Sequence, residues 1–194
     1  MKFAFVDAEF TGEHAKTTLV SLGIVGMGDE ALSVTLNDYD ADQVTPWLRE
    51  NVLNLIDESK SVPSGEAYEL VSEWFEAYSS GDRVSLVSAG KLTDLLLLFE
   101  LWHHGFPERR YFHHLHCLPE YLNHAAHFDL PTILFLAGID PNVDREQFSG
   151  HQLTGTRHEA LYDALVVREC FRRSVSRENF PKLPLEVDAT FSTQ

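Results

Sequence analysis

What most constrains this chain is the order of its apolar patterns: three β-rich runs come first, followed by amphipathic helical stretches with one further strand among them. Lys2 to Asp7 alternates and then turns acidic. Thr18 to Met27 (TLVSLGIVGM) and Ala31 to Leu36 follow, separated by the tight-turn residues Gly28-Asp29-Glu30. Thr45 reads as a helix cap with Pro46 at the first helical position, and Trp47, Leu48, Val52 and Leu55 recur at helical spacing through about Leu55. Pro63-Ser64 opens a second helix, in which Ala67, Leu70, Val71, Trp74, Phe75 and Tyr78 form an apolar stripe ended by Ser79-Ser80-Gly81. Arg83 to Ser88 is a short buried-type strand leading into a helix from about Leu92 through His104. Pro119 to His127 and Pro131 to Ala137 suit short helices. Thr154 to Arg173 reads as a long helix with Ala160, Leu161, Ala164, Leu165, Val167 and Phe171 toward a core. Strands first, then helices around one more strand, imply an α/β fold: a central mixed β-sheet flanked by α-helices on both faces.

With 194 residues and no internal repeat or linker, one domain over residues 1–175 is expected, followed by an extended tail over 176–194 that carries Pro181 and Pro184. The N-terminus has a short apolar run broken by Asp7, without the long apolar region and cleavage site of a signal peptide. Leu95 to Leu101 is the most hydrophobic segment, is interrupted by Glu100, and is far shorter than the roughly 20 residues that span a bilayer. Cys117 and Cys170 make neither a disulfide framework nor a CxxC zinc site. A cytoplasmic protein without a membrane partner is expected. Thirty acidic against fifteen basic residues give a formal charge of −15, which argues against gripping long nucleic acid through a broad basic surface. Divalent cations held by carboxylates would instead draw phosphate in locally.

Asp7-Ala8-Glu9 closes the first predicted strand, and strand alternation projects residues 7 and 9 to one face. Two adjacent carboxylates repel each other, and a hard divalent ion with oxygen ligands relieves this; the pair also reads as a plain strand end at the surface. Asp94 lies just past a buried-type strand, at the sheet edge where α/β proteins build sites, and equally where a helix dipole favours an acid. On an ideal helix Asp163 falls roughly 140° from His158 and beside the apolar face made by Ala160, Ala164 and Val167, so a bound metal or a partner would offset its burial. His158 alone reads also as an exposed polar residue before a helix.

Taken in order, Asp7-x-Glu9, Asp94 after a strand, and His158-x4-Asp163 on a C-terminal helix resemble the DEDDh branch of the 3′–5′ exonucleases, which have an RNase H-like fold. FVDAEFTG looks like the first motif of that family, SAGKLTD its second and RHEALYDA its third. The likeness runs from about Lys2 to Arg173, and TPWLRENVL resembles small bacterial 3′–5′ exoribonuclease-like proteins. The second motif departs from the pattern, which commonly carries an asparagine near Gly90 and an aromatic where Thr93 stands.

The resemblance implies a metal-dependent exonuclease that releases nucleoside 5′-monophosphates from single-stranded 3′ ends, with RNA or short oligonucleotides favoured. Asp7, Glu9, Asp94 and Asp163 would hold two Mg²⁺ or Mn²⁺ ions, with His158 as general base and Glu9 counted as catalytic besides being a ligand. Phe10 would meet the terminal base, or else serve as a core aromatic; Arg157 would meet phosphate, or else be simply solvated. Many relatives are homodimers, and the resemblance admits one here. The alternative from another class is a catalytically weak module that binds nucleic-acid ends on the same fold. The His113-His114-Leu115-His116 run with Cys117, His124 and His127 suggests zinc only weakly, since no CxxC or HExxH accompanies it. No nucleophile elbow surrounds Ser21 or Ser88, and Gly23, Gly26 and Gly28 form no phosphate loop.

Overall fold

A computed structural model describes residues 2–89, 92–108, 118–150 and 153–181. Its centre is a five-stranded mixed sheet of order β3-β2-β1-β4-β5, built from β1 (Lys2–Phe10), β2 (Leu19–Val25), β3 (Ala31–Thr35), β4 (Val84–Ser88) and β5 (Phe128–Asp129). β2 runs antiparallel to β1 and β3 to β2, whereas β4 pairs parallel with β1 and β5 with β4. The helices are α1 (Pro46–Asn51), α2 (Ser64–Ser79), α3 (Thr93–Leu101), α4 (Leu130–Leu136), α5 (Arg145–Ser149) and α6 (Ala160–Val175). The expected α/β architecture is therefore observed.

Alternation along β1 divides the core. Ala4, Val6 and Ala8 face a cluster with α2 and α3, while Phe3 and Phe5 face another with α4 and α6. Each buried Phe contributes roughly 1.5–3 kcal/mol, and the rings of Phe3 and Phe5 both reach Phe171 of α6, at 5.1 and 5.2 Å between centroids. Odd-numbered Asp7 and Glu9 continue the face that α6 covers.

Several local expectations hold for local reasons. The Thr45 hydroxyl accepts the Leu48 N–H at 3.1 Å with Pro46 opening α1. Ser80 ends α2 in a left-handed conformation. Four expectations need correction. The first strand does not stop at the Asp7-Ala8-Glu9 segment but continues to Phe10, with a register shift between Glu9 and Phe10. Pro119 to His127 is not a helix: Val84 donates to the Tyr121 carbonyl, Asn123 donates to the Val84 carbonyl, and the Asn123 side chain accepts the N–H groups of Ala125 and Ala126. Trp47, Leu55 and Leu70 are not core residues, being 54%, 38% and 38% exposed. The last helix begins at Ala160, not Thr154, because Gly155 and His158 adopt positive φ values that no helix accommodates.

Residues 176–181 make turns that bring Phe180 against the second core cluster, and the expected tail beyond them lies outside the described residues. Among the described residues, no helix is long and apolar enough to cross a membrane.

Candidate active site

The β1–β4 pairing stops at Val6–Ser88, so the last four residues of β1 run past the end of their parallel neighbour. A cleft opens beside them, as it does where strand ends diverge in open α/β sheets. Its volume is about 1460 Å³, and Asp7, Glu9, Phe10, Asp94, Arg157, His158 and Asp163 all line it. Every site residue expected from the sequence is thus brought to one place.

Three elements deliver the carboxylates. β1 carries Asp7 and Glu9. Asp94, 1% exposed, sits in the first turn of α3. Asp163 lies in the first turn of α6, eight residues before Phe171, or about 12 Å of helix. That rise matches the span of about 13 Å from Phe5 to Glu9 on the strand, so anchoring Phe171 on Phe5 sets Asp163 beside Glu9. One donor atom each from Glu9, His158 and Asp163 lie within 4.8 Å of one another.

The electrostatics follow from this crowding. Burial first, and then Asp94, Asp163 and Glu9 in that order, hold the Asp7 carboxyl well above its ordinary range, against a smaller opposing influence of Arg145. Burial and then the charges of Asp163 and Asp94 raise Glu9 from 4.5 to about 8. Burial also raises Asp163, while the His158 backbone N–H and ring and the Arg157 guanidinium oppose the shift. Oxygen-rich, mutually repelling donors of this kind fit a hard divalent cation such as Mg²⁺ or Mn²⁺.

His158 precedes α6 rather than belonging to it, so the angular relation expected on an ideal helix does not apply. Its φ of 71° is an uncommon conformation for a residue with a Cβ, and Asp163 Oδ2 holds it by accepting the His158 N–H at 2.9 Å. The ring lies 3.5 Å from Glu9 Oε1 through Nδ1 and 5.2 Å from the Trp47 ring, which it meets edge to face. Arg157 is exposed at the rim. Phe10 lines the cleft while also packing against the first core cluster.

Positioning residues were less legible. Gly23 pairs with Asp7 across the β1–β2 ladder, and a Cβ there would run into the backbone of Ala160 and Leu161. Its bare backbone lets the start of α6 rest on the sheet; a glycine inside a fully buried, largely apolar strand was the available signal. Gly23→Val is expected to lower the Tm by about 5–10 °C. Calorimetry checks this, and an unchanged Tm would remove the role from Gly23. Thr11, 2% exposed, accepts the Thr18 N–H and donates to Gln43 Oε1, tying the loop after β1 to the approach to α1. Arg145 and Trp47 also face the cleft.

The zinc expectation falls largely on residues 113–117, and one position of the second-motif departure on Gly90, all outside the described residues; the other position, Thr93, opens α3. Of the remaining histidines in that group, His127 accepts the Leu86 N–H and packs on Phe99, and burial lowers it to about 4. It serves as a neutral, partly buried residue that ties β4 to the segment before β5.

No protein-family model matches the sequence, and no curated protein is significantly similar to it. Solved structures are similar. One is a complex described as 3′-end-specific recognition of histone mRNA stem-loop by 3′-exonuclease: its TM-score is 0.64 at 11% identity, with 92% of this chain and 65% of that one covered. Another is S. pombe Pop2p in a Mg²⁺- and Mn²⁺-bound form, at TM-score 0.63 and 14% identity, covering 93% of this chain and 85% of that one. The fold shared with these structures is RNase H-like, a mixed sheet with flanking helices. The chain spans just under two thirds of the first of these structures. Within this RNase H-like fold, the cleft lies where the diverging ends of β1 and β4 leave it.

Proposed function

We propose that the chain is a divalent-metal-dependent 3′–5′ exonuclease that removes nucleoside 5′-monophosphates from single-stranded nucleic acid, with RNA or short oligonucleotides as the favoured substrate. The observation that carries this reading is the convergence of Asp7, Glu9, Asp94 and Asp163 in one cleft with His158 beside them. The RNase H-like fold and the ion-bound form of the Pop2p structure support it, as does recognition of an RNA 3′ end by the other similar protein.

In this reading the four carboxylates hold two Mg²⁺ or Mn²⁺ ions, which when bound lower the pKa of water and neutralise charge on the phosphoryl oxygens. His158 takes the proton of the attacking water, a task suited to an imidazole near neutral pH. Glu9, at 3.5 Å from Nδ1, orients that ring and stabilises its cationic form. The hydrogen bond from the His158 N–H to Asp163 places the base relative to the carboxylates. Arg157, at the rim, supplies positive charge for a substrate phosphate.

An unblocked 5′-labelled oligonucleotide is expected to shorten stepwise in Mg²⁺ or Mn²⁺, while the same strand with a blocked 3′ end resists. Gel analysis of products decides this, and internal cutting of both strands would overturn the polarity. Parallel assays on single-stranded RNA and DNA of one sequence test the preference for RNA.

A further inference from the structure

Tyr162 and Asp163 are neighbours in the first turn of α6, and a helix turns neighbouring side chains about 100° apart. Asp163 lines the cleft, whereas Tyr162 stands behind its wall and reaches α5, where its hydroxyl donates to Glu146 Oε1 at 3.1 Å. The base of the same ring meets the loop that precedes the helix. A Cβ on Gly155 would lie 2.5 Å from Tyr162 Cδ2 and 2.8 Å from its Cβ and Cγ, so the bare glycine rests directly on the tyrosine, with a φ of 149° that also suits glycine. Gly155 is three residues before His158. The other ties of this loop are the packing of Leu153 on the second core cluster, the Thr156 N–H donated to Glu159 Oε2 at 3.1 Å, and the His158 N–H donated to Asp163 Oδ2 at 2.9 Å. The left-handed backbone of His158 persists only because its surroundings impose it, and Tyr162 is the large side chain against which the loop lies.

We infer that Tyr162 is a positioning residue for the general base: its ring seats Gly155, its hydroxyl is anchored on Glu146 of α5, and the loop held between them keeps the His158 ring at Glu9. This rests on the exonuclease reading, in which His158 takes the proton of the attacking water, and adds to it the residue behind the cleft that sets where the base stands. Tyr162 acts on hydrolysis through His158 and touches neither substrate nor the water. Misplacing a reacting group by about 1 Å costs on the order of 100-fold in rate, so the seat matters although it lies outside the cleft. The ring also packs against the second core cluster, and the test therefore separates positioning from stability.

The test is a double-mutant cycle between Tyr162 and His158, read on one single-stranded oligonucleotide in Mn²⁺. Tyr162→Ala is expected to lower kcat by roughly 10- to 100-fold, with KM and the Mn²⁺ concentration for half-maximal rate changed by less than about threefold. In a His158→Ala background the same substitution should change the remaining rate by less than about twofold, because the group it misplaces is already gone. Equal falls in the two backgrounds overturn the proposal. Tyr162→Phe, which keeps the ring under Gly155, should recover most of the rate, and a loss as large as that of Tyr162→Ala overturns the role of the ring. Gly155→Ala disturbs the seat from the loop side and leaves α6 untouched; it should reproduce the Tyr162→Ala pattern in both backgrounds, and a wild-type kcat overturns the proposal even where Tyr162→Ala does not fold. Exchange of the His158 amide, followed by NMR, gives a readout without turnover. It should quicken at least about tenfold in Tyr162→Ala, and unchanged protection overturns the seat. A wild-type chain that hydrolyses no strand while Tyr162→Ala still releases the His158 amide contradicts the exonuclease reading and supports the seat.

Discussion

Asp163→Asn is expected to slow mononucleotide release by about two to three orders of magnitude while raising the Tm of the metal-free protein. Both effects have one origin. Asparagine keeps an oxygen to accept the His158 N–H, so the loop before α6 retains its hydrogen bond. What it loses is a negative charge that burial disfavours and that itself raises the carboxyls of Asp7 and Glu9. Without metal that charge is a cost to the fold; with metal it is a ligand. Product release and calorimetry on the same preparations check the two halves. A variant with the wild-type rate would remove Asp163 from the metal site, and a lower metal-free Tm would show that its charge stabilises the fold.

The second expected result concerns pH. Glu9 has a folded value of about 8 against an ordinary 4.5, and Asp7 and Asp163 are raised as well. A carboxyl that holds its proton more tightly in the folded state gives stability that is complete below its unfolded value and is lost as pH rises through the folded one. The metal-free protein should therefore lose stability between about pH 4.5 and 8, by on the order of several kcal/mol for Glu9. For a chain of this size that is a fall in Tm on the order of 10 °C. Added Mg²⁺ or Mn²⁺ should restore the Tm at pH 8 and change it little at pH 5, because the cations compete with protons for the same oxygens. Calorimetry across this range with and without metal checks the sign, and a Tm that climbs with pH in the absence of metal would contradict the electrostatics described for the cleft.

These two results probe what was legible from residues alone. Strands β1 to β4 and helices α1 to α3 follow from signals carried by neighbours in sequence: alternation, the Thr45-Pro46 cap, and the left-handed stop at Ser80. α5 went unread although Asp144 caps it by accepting the Gln147 N–H, because five residues are too few for a period to show. The 119–127 segment failed for the opposite reason. Its spacing permits a helix, but its backbone groups find partners on β4, which no local pattern reveals.

The candidate site divides in the same way. Asp7 and Glu9 share a face because strand geometry requires it, and their same-side placement was readable from β1 alone. Asp94 had two even readings, and the structure accommodates both: β4 ends at Ser88 and α3 packs against β1, so Asp94 stands in a first helical turn and also lines the cleft.

By itself, then, the sequence determined most of the strands and helices, the mixed sheet and the shared face of Asp7 and Glu9, because these depend on residue type and short-range spacing, whereas Asp94, His158 and Asp163 stood out only through the resemblance. Tertiary structure alone decided that His158 leaves the helix for a left-handed conformation held by Asp163, that Gly23 is the seat on which α6 begins, and that Trp47 faces the cleft instead of the core. Each of these depends on how closely two distant segments approach, which is set by side-chain volume packed between them and leaves no periodic trace along the chain.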